Sequence, residues 1–418
     1  MYKKINHCRM CGNTNLVSLL HLGEQTLTGV FPKSKSTTIT SGPLELVKCF
    51  SHSDEQVCGL VQLNHSYDSN EMYGDNYGYR SGLNQSMVRH LQSVVKEILA
   101  TVELASGDII IDIGGNDSTL LQTYPKDLGL NLMVIDPTSN KFKKYYPEHI
   151  NNTADFFSAS TYNRLFDKKA KVITSIAMFY DLEEPLKFVQ DIYDVLDDNG
   201  IWVFEQSYLP AMVNTTSYDT ICHEHLEYYG MQQILWLFEK VGFKMVDVDF
   251  NAINGGSFRI TAAKKAANIV CKTEKINEAL ATEMEAGYAQ LDVYNQFAQA
   301  VVKHRDELKA FIKDLQNNGK KIFGYGASTK GNVLLQYCGL TEQDLHCIAE
   351  VNPDKFGSFT PNTLIPIVSE QEAKAQNPDY FLVLPWHFRE SIIEREQAFL
   401  EQGGKLIFPL PTLEVYSK

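Results

Sequence analysis

Five short β-rich runs alternating with helical stretches constrain this chain more than any other feature: DIIIDIG (108–114), NLMVID (131–136), KVITSIA (171–177), GIWVFEQ (200–206) and FKMVDVDF (243–250). Strands separated by crossover-length helical segments argue for a parallel sheet, since an antiparallel pair needs only a tight turn. The pattern predicts a doubly wound α/β unit. Ahead of it, between Leu83 and Leu104, Met87, Leu91, Val94, Val95 and Ile98 recur at helical spacing, and Gly107 closes the segment. Residues 273–316 read as one or two long helices, with Ile276, Leu280, Leu291, Phe297, Val301, Leu308 and Phe311 on one apolar face. After Gly319 the alternation restarts with KKIFGYG (320–326), DLHCIAE (344–350), DYFLVLPW (379–386) and KLIFPLP (405–411), a second and smaller α/β unit. The predicted organisation is a small domain over 1–82, an α/β domain over 83–272, a helical connector over 273–316 and a C-terminal Rossmann-like domain over 317–418.

The first 82 residues read as loop-rich, punctuated by Gly23, Pro32, Gly42 and Pro43, with too little apolar material for a core of their own. Of the eight cysteines, Cys222, Cys271, Cys338 and Cys347 are scattered, whereas Cys8, Cys11, Cys49 and Cys58 cluster in this segment. Cys8-x-x-Cys11 places two thiolates on one tight knuckle, and Cys49 with Cys58 supplies a second pair for a tetrahedral Zn²⁺. His7 and His52 are alternative ligands, and four unrelated thiols are the competing reading. Four protein ligands would make the ion structural, with no position open to substrate.

With 38 Lys and Arg against 51 Asp and Glu the chain carries a net charge of −13 and no basic stripe, which argues against a nucleic-acid partner. No run of about 18 apolar residues predicts a membrane span, and the polar N-terminus lacks a signal-peptide core, so a cytoplasmic protein is expected.

Three segments carry the chemistry. In IIIDIGGNDSTLL a strand ending in Asp112 runs into Gly114 and Gly115 and an expected helix start, the shape of a loop whose amides approach a cofactor. It is not GxGxxG and no Lys follows. Asp136, after the next strand, is placed for ribose hydroxyls, and Asp155 beside Phe156 for an adenine amino group. Acids and glycines without a basic residue suit the cationic S-adenosylmethionine, while an NAD-type site and a merely structural turn stay open. YDTICHEHLEYYG (218–230) gathers His223, Glu224 and His225; it lacks the i, i+4 histidine pair of a zinc protease and suits general acid/base work, against the alternative of a loop with satisfied histidines. Ala327, Ser328, Lys330 and Gly331 form a turn after KKIFGYG where amides and one ammonium suit a diphosphate, or else a plain strand–helix turn.

Together CRMCG (8–12), CGLVQL (58–63), YGYRSG (77–82), DIGGNDSTLL (112–121), HEHLEYY (223–229), GGSFR (255–259), FGYGASTKGNVLLQY (323–337) and PDYFLVLPW (378–386) resemble the S-adenosylmethionine-dependent C-methyltransferases that act on nucleotide-linked keto-deoxysugars. The resemblance runs in order through essentially the whole chain, and its C-terminal blocks are the most specific. It implies a zinc-bearing N-terminal domain, a central methyltransferase domain and a C-terminal domain that helps hold the sugar nucleotide. It implies methylation at C3 of a 4-keto sugar, with His225 as the base, Glu224, Tyr77 and Tyr79 around the sugar, and Tyr77, Tyr79 or His223 as enolate donors. It further implies a cofactor loop from Asp112 through Gly114, Gly115, Asn116 and Asp117, and substrate contacts from Tyr325 to Asn332. Two positions depart from the family pattern: Cys222 where a tyrosine is common, and Ser118 where glycine is usual. The alternatives are an O- or N-methyltransferase of a sugar nucleotide and a non-catalytic sugar-nucleotide binder.

Overall fold

The computed structural model describes residues 2–51, 57–68, 71–72 and 80–418. The expected alternation folds into a seven-stranded sheet in which β10 (Leu196–Ser207), β9 (Ala170–Ile176), β6 (Ile109–Ile113), β7 (Asn131–Ile135) and β8 (Ile150–Thr153) run parallel. Antiparallel β13 (Ser257–Lys264) and β12 (Phe243–Asn251) complete it beside β10. Two of these strands escaped the sequence reading. β8 is the polar run INNT, and β13 follows a Gly-Gly pair, so neither shows the continuous β-branched pattern of a buried strand.

The helix Gln85–Thr101 buries the five predicted residues against this sheet. The Asn84 side chain caps it by accepting from the Ser86 amide, and it ends at Thr101, earlier than Gly107 had suggested. The second unit is a six-stranded sheet: β16 (Ile367–Ser369), β15 (Ile348–Glu350), β14 (Ile322–Tyr325), β17 (Tyr380–Val383) and β18 (Lys405–Phe408) parallel, with β19 (Glu414–Tyr416) antiparallel. The connector is shared out. Ile276 of the helix Thr273–Glu285 joins the core on the side of the seven-stranded sheet, while Phe297, Val301, Leu308 and Ile312 of Asp292–Asn317 join the C-terminal one.

The N-terminal segment is more ordered than its composition suggested. β2 (Leu16–Thr26), β3 (Ser41–Cys49) and β4 (Val61–Leu63) form an antiparallel sheet, and β1 (Tyr2–Lys4) pairs with β5 (His65–Tyr67). Gly23, Gly42 and Pro43, read as turn formers, lie inside β2 and β3 around an irregular pairing at His21 and Glu24. Most of the sheet's core is shared: Leu44, Leu46, Val61 and Leu63 pack into the cluster that also holds Phe323 and Leu382, and Leu60 into the one that holds Trp202, while Leu27, Tyr67 and Met72 form a small cluster of their own. The fourth strand of this sheet is β11 (Glu227–Tyr228), contributed by the His-Glu-His segment. Among the described residues, no helix is long and apolar enough to cross a membrane.

Candidate active site and metal centre

Cys8, Cys11, Cys49 and Cys58 bring their four sulfurs within 4.8 Å of one another, with Cys8 and Cys58 3.4 Å apart and Cys11 and Cys49 3.5 Å apart. A tetrahedral Zn²⁺ with bonds of about 2.3 Å spaces its sulfurs by roughly 3.8 Å, so the cluster fits one such ion. The Asn13 amide adds a donor to the Cys49 sulfur at 3.3 Å. His7 is exposed and bonded to Asn6, outside the cluster, and His52 lies outside the described residues.

At the carboxyl end of β6 the Asp112 carboxyl is buried, accepts from the Thr174 hydroxyl at 2.6 Å, and is pushed up to about 7 by burial. Gly115 is required by close approach: a Cβ there would lie 2.7 Å from an Asp112 oxygen and 3.0 Å from Val134. Asp136 staples the loop, accepting from the Asn116 amide at 2.8 Å and from the Thr138 amide and hydroxyl at 2.6 and 2.7 Å. A carboxylate offers about four acceptor positions, so capacity remains for a ligand hydroxyl. The helix expected after the glycines does not form. Only short 3₁₀ turns at Leu121–Thr123 and Lys126–Leu128 follow, so no helix dipole contributes. Asn116 and Ser118 sit at φ 51° and 63°, the left-handed region that the usual glycine at 118 enters without strain.

A basic residue does reach this loop, contrary to the sequence reading. The Arg80 guanidinium lies 3.6 Å from Asp117 and over the Tyr145 ring, while the Gly82 amide donates to Asp117 at 2.9 Å. Asp155, expected at adenine, is paired with Arg164 at 2.7 Å, and Phe156 presents its ring to solvent. The remaining acids, Asp112 and Asp136, with the two glycines, fit a cationic adenosine cofactor. Tyr77 and Tyr79 lie outside the described residues.

The two histidines of the HEH segment are different in kind. His223 is fully buried, its Nδ1 3.4 Å from the Thr28 hydroxyl and its Nε2 3.3 Å from the Gln25 carbonyl, with the Tyr67 ring against it. Both nitrogens are spent inside the N-terminal domain, which removes His223 from the candidate donors. His225 is half-buried, and its Nδ1 lies 2.9 Å from the Thr220 carbonyl. A carbonyl only accepts, so Nδ1 carries the proton and Nε2 keeps its lone pair. Burial, then the Lys330 ammonium, hold His225 down to about 3, neutral at pH 7. The ring rests on Tyr180, centroids 4.2 Å apart. Glu224 lies against Gly29, where a Cβ would meet its Oε1 at 2.3 Å; its Oε2 is enclosed without a partner, and burial raises its carboxyl. Cys222 is wholly buried, in the apolar cluster.

The C-terminal blocks close on this segment. Gly326 and Gly331 pack on Pro385 and Leu384 of LVLPW, and Trp386 donates its indole to Asp219 at 2.8 Å. The Lys330 ammonium donates to the Asn254 carbonyl at 2.6 Å, and it faces Asp219, Cys222, His225 and His387. Two of the amides expected in a diphosphate cradle are engaged within the protein. The Ala327 amide already donates to Glu350 at 2.8 Å, and the Gly331 amide to the capping Ser328 hydroxyl at 3.0 Å. Asn332 is bound to the Thr28 carbonyl at 2.7 Å, and the Tyr325 hydroxyl is committed to Glu396 and Arg395. Glu350, Asp219 and Trp386 were missed, because each acts through a partner far away in sequence.

Three family models match the chain in succession: a domain described as zinc binding over residues 8–73, a methyltransferase domain over 85–248, and a C-methyltransferase C-terminal domain over 252–411. The C-methyltransferase NovU of Streptomyces niveus is 27% identical over 419 residues, spanning 99% of this chain and 98% of that protein. Among solved structures, the complex of the Haloferax volcanii Trm112 activator with a methyltransferase aligns at TM-score 0.36 and 12% identity, over 44% of this chain and 94% of that one. The plantazolicin methyltransferase BpumL with SAH aligns at TM-score 0.34 and 12% identity, over 42% and 82%.

Proposed function

Since the chain belongs to the S-adenosylmethionine-dependent C-methyltransferases built from a zinc-binding, a methyltransferase and a C-terminal domain, we propose that it methylates C3 of a nucleotide-linked 4-keto-deoxysugar. The observation that carries this reading is the His225 tautomer, with Nδ1–H fixed on the Thr220 carbonyl and Nε2 left as an acceptor in a half-buried position. An O- or N-methyl acceptor brings its own lone pair; a carbon acceptor needs a base.

The loop between Asp112 and Asp136 is the part that holds S-adenosylmethionine, which when bound supplies an electrophilic methyl group. His225 Nε2 takes the proton from the carbon beside the ketone. Lys330, whose ammonium acts on His225 and donates to the Asn254 carbonyl, supplies a donor for the developing enolate oxygen, the part expected of Tyr77, Tyr79 or His223. Glu224 lies beside the base with one unpartnered oxygen for a sugar hydroxyl. An ion held by the four cysteines would have no open position and would be structural.

Replacing His225 by Asn is expected to lower turnover and C3 proton exchange in deuterated water by on the order of 10²–10⁴. His223→Ala should lose stability yet keep the exchange. The measurement is mass-spectrometric turnover and exchange on TDP-, GDP- and CDP-linked 4-keto-6-deoxysugars. Normal exchange by His225→Asn would sink the assignment of the base.

A further inference from the structure

Leu226, the residue after His225, is held by two domains at once. Its amide donates to the Tyr180 carbonyl at 2.7 Å, behind β9, and its carbonyl accepts from the Leu63 amide at 2.8 Å, in the N-terminal sheet. Glu227 and Tyr228 continue as β11 opposite Gln62 and Val61. The side chain of Glu227 is wholly buried, and burial holds its carboxyl well above the usual range, a shift that Arg9 offsets only in part. The Leu182 amide approaches it at 3.4 Å, and the guanidinium of Arg9 lies 3.7 Å from its Oε1.

Arg9 stands between the metal-ligand cysteines Cys8 and Cys11, and its side chain is itself buried. Nη1 donates to the Leu63 carbonyl at 2.6 Å, and Nη2 to the Ser66 hydroxyl at 2.8 Å and the His65 carbonyl at 3.3 Å. Nε faces Glu183 at 3.5 Å, and Ser66 donates to the same Glu183 oxygen at 2.9 Å. One cation therefore reaches from the Cys8–Cys11 knuckle to both 180–183, whose Tyr180 ring rests on His225, and 226–228, which follow His225 in the chain.

We propose that Arg9 is a positioning residue for His225, through Glu227 and the backbone of Leu226. A metal on the four cysteines would fix the knuckle, the knuckle fixes the guanidinium, and the guanidinium packs against the buried Glu227 carboxyl that begins β11. A displacement of about 1 Å at a base is enough to cost on the order of 10²-fold in rate, so the link bears on turnover as well as on folding. The catalytic arm of this proposal rests on the reading of His225 as the base; the structural arm does not.

The test compares Arg9→Met, Arg9→Lys, Glu227→Gln and His225→Asn with the wild-type full chain. Zinc is measured by elemental analysis. Amide exchange is followed by mass spectrometry over 220–230 and 178–184, with 322–350 as control, and C3 exchange and turnover are read on TDP-linked 4-keto-6-deoxyglucose. Arg9→Met and Glu227→Gln should keep their zinc and lose protection over 220–230 but not in the control. Their kcat should fall by about 10–100-fold with KM within about threefold, and Arg9→Lys should recover part of the loss. Unchanged protection in both variants, or lost protection with normal kcat, overturns the proposal. If Arg9→Met sheds its zinc, Glu227→Gln decides alone, because it replaces no residue of the knuckle. If His225→Asn keeps C3 exchange, the assignment of the base fails, and the protection data still decide the link between Arg9 and β11.

Discussion

Asp136 and Glu350 occupy the same place in two different sheets. Each follows or ends the second strand of its α/β unit, and each accepts at 2.8 Å from an amide in the turn after the first strand, Asn116 in one case and Ala327 in the other. Each also holds the turn that follows it, Asp136 through Thr138 and Glu350 through Val351 and Asn352. What comes after the glycines differs. The first turn runs into two short 3₁₀ turns and leaves Gly114 and Gly115 partly exposed. The second runs into the helix Thr329–Cys338, capped by Ser328, and buries Ala327 and Gly331 under LVLPW. An acid staple at a strand end therefore builds the turn. The covering of the turn decides whether a ligand can lie along it.

If the second turn serves the chemistry rather than a diphosphate, Lys330→Met should produce the largest effect. It should lower turnover by on the order of 10²–10³, the scale of one lost oxyanion donor, with S-adenosylhomocysteine affinity within about twofold by calorimetry. A variant that only weakens sugar-nucleotide binding would restore the diphosphate reading and erase the contrast. At the first turn, Asp136→Ala should weaken S-adenosylhomocysteine binding by about 1.5–3 kcal/mol, since it removes a charged acceptor and frees the loop. Unaltered affinity would mean that the cofactor does not use this staple.

Gly331→Ala sharpens the comparison from the packing side. Its Cβ would come within 2.8 Å of the Leu384 Cβ, and urea unfolding should register a loss of about 1–3 kcal/mol with cofactor affinity intact. The smallest effect is expected for Ser118→Gly. Relief of a left-handed serine is offset by the freedom that glycine adds to the unfolded chain, leaving a change below about 1 kcal/mol in the same measurement.

The parts of this molecule that were legible in the sequence are those written in local pattern. The helix over Gln85–Thr101 is carried by five apolar residues at one period, and the Cys8-x-x-Cys11 knuckle by spacing alone. β2 and β3 were obscured because Gly42 and Pro43 signal turns in the absence of a partner strand, and that partner supplies the bulge that admits them. The site was half legible. His223 and His225 look alike as letters, and only the approach of Gln25 and Thr28 to one, and of the Thr220 carbonyl to the other, separates the buried clamp from the proposed base. Arg9 with Glu227, and Trp386 with Asp219, are pairs whose members lie in different domains, so no window of sequence contains either interaction.

The pairing of β11 with β4 also bears on how the chain tolerates being cut. A fragment ending near residue 82 keeps β4 but loses Glu227 and Tyr228, and so leaves the backbone groups of that strand open beside the apolar Val61 and Leu63. An unpaired, apolar sheet edge is a template for association with other chains. The complementary fragment would carry Glu227 without its cation. The boundary that composition draws most clearly is thus a poor place for a truncation or a domain exchange, and a swap intended to change the acceptor has to move residues 8–67 and 223–229 together.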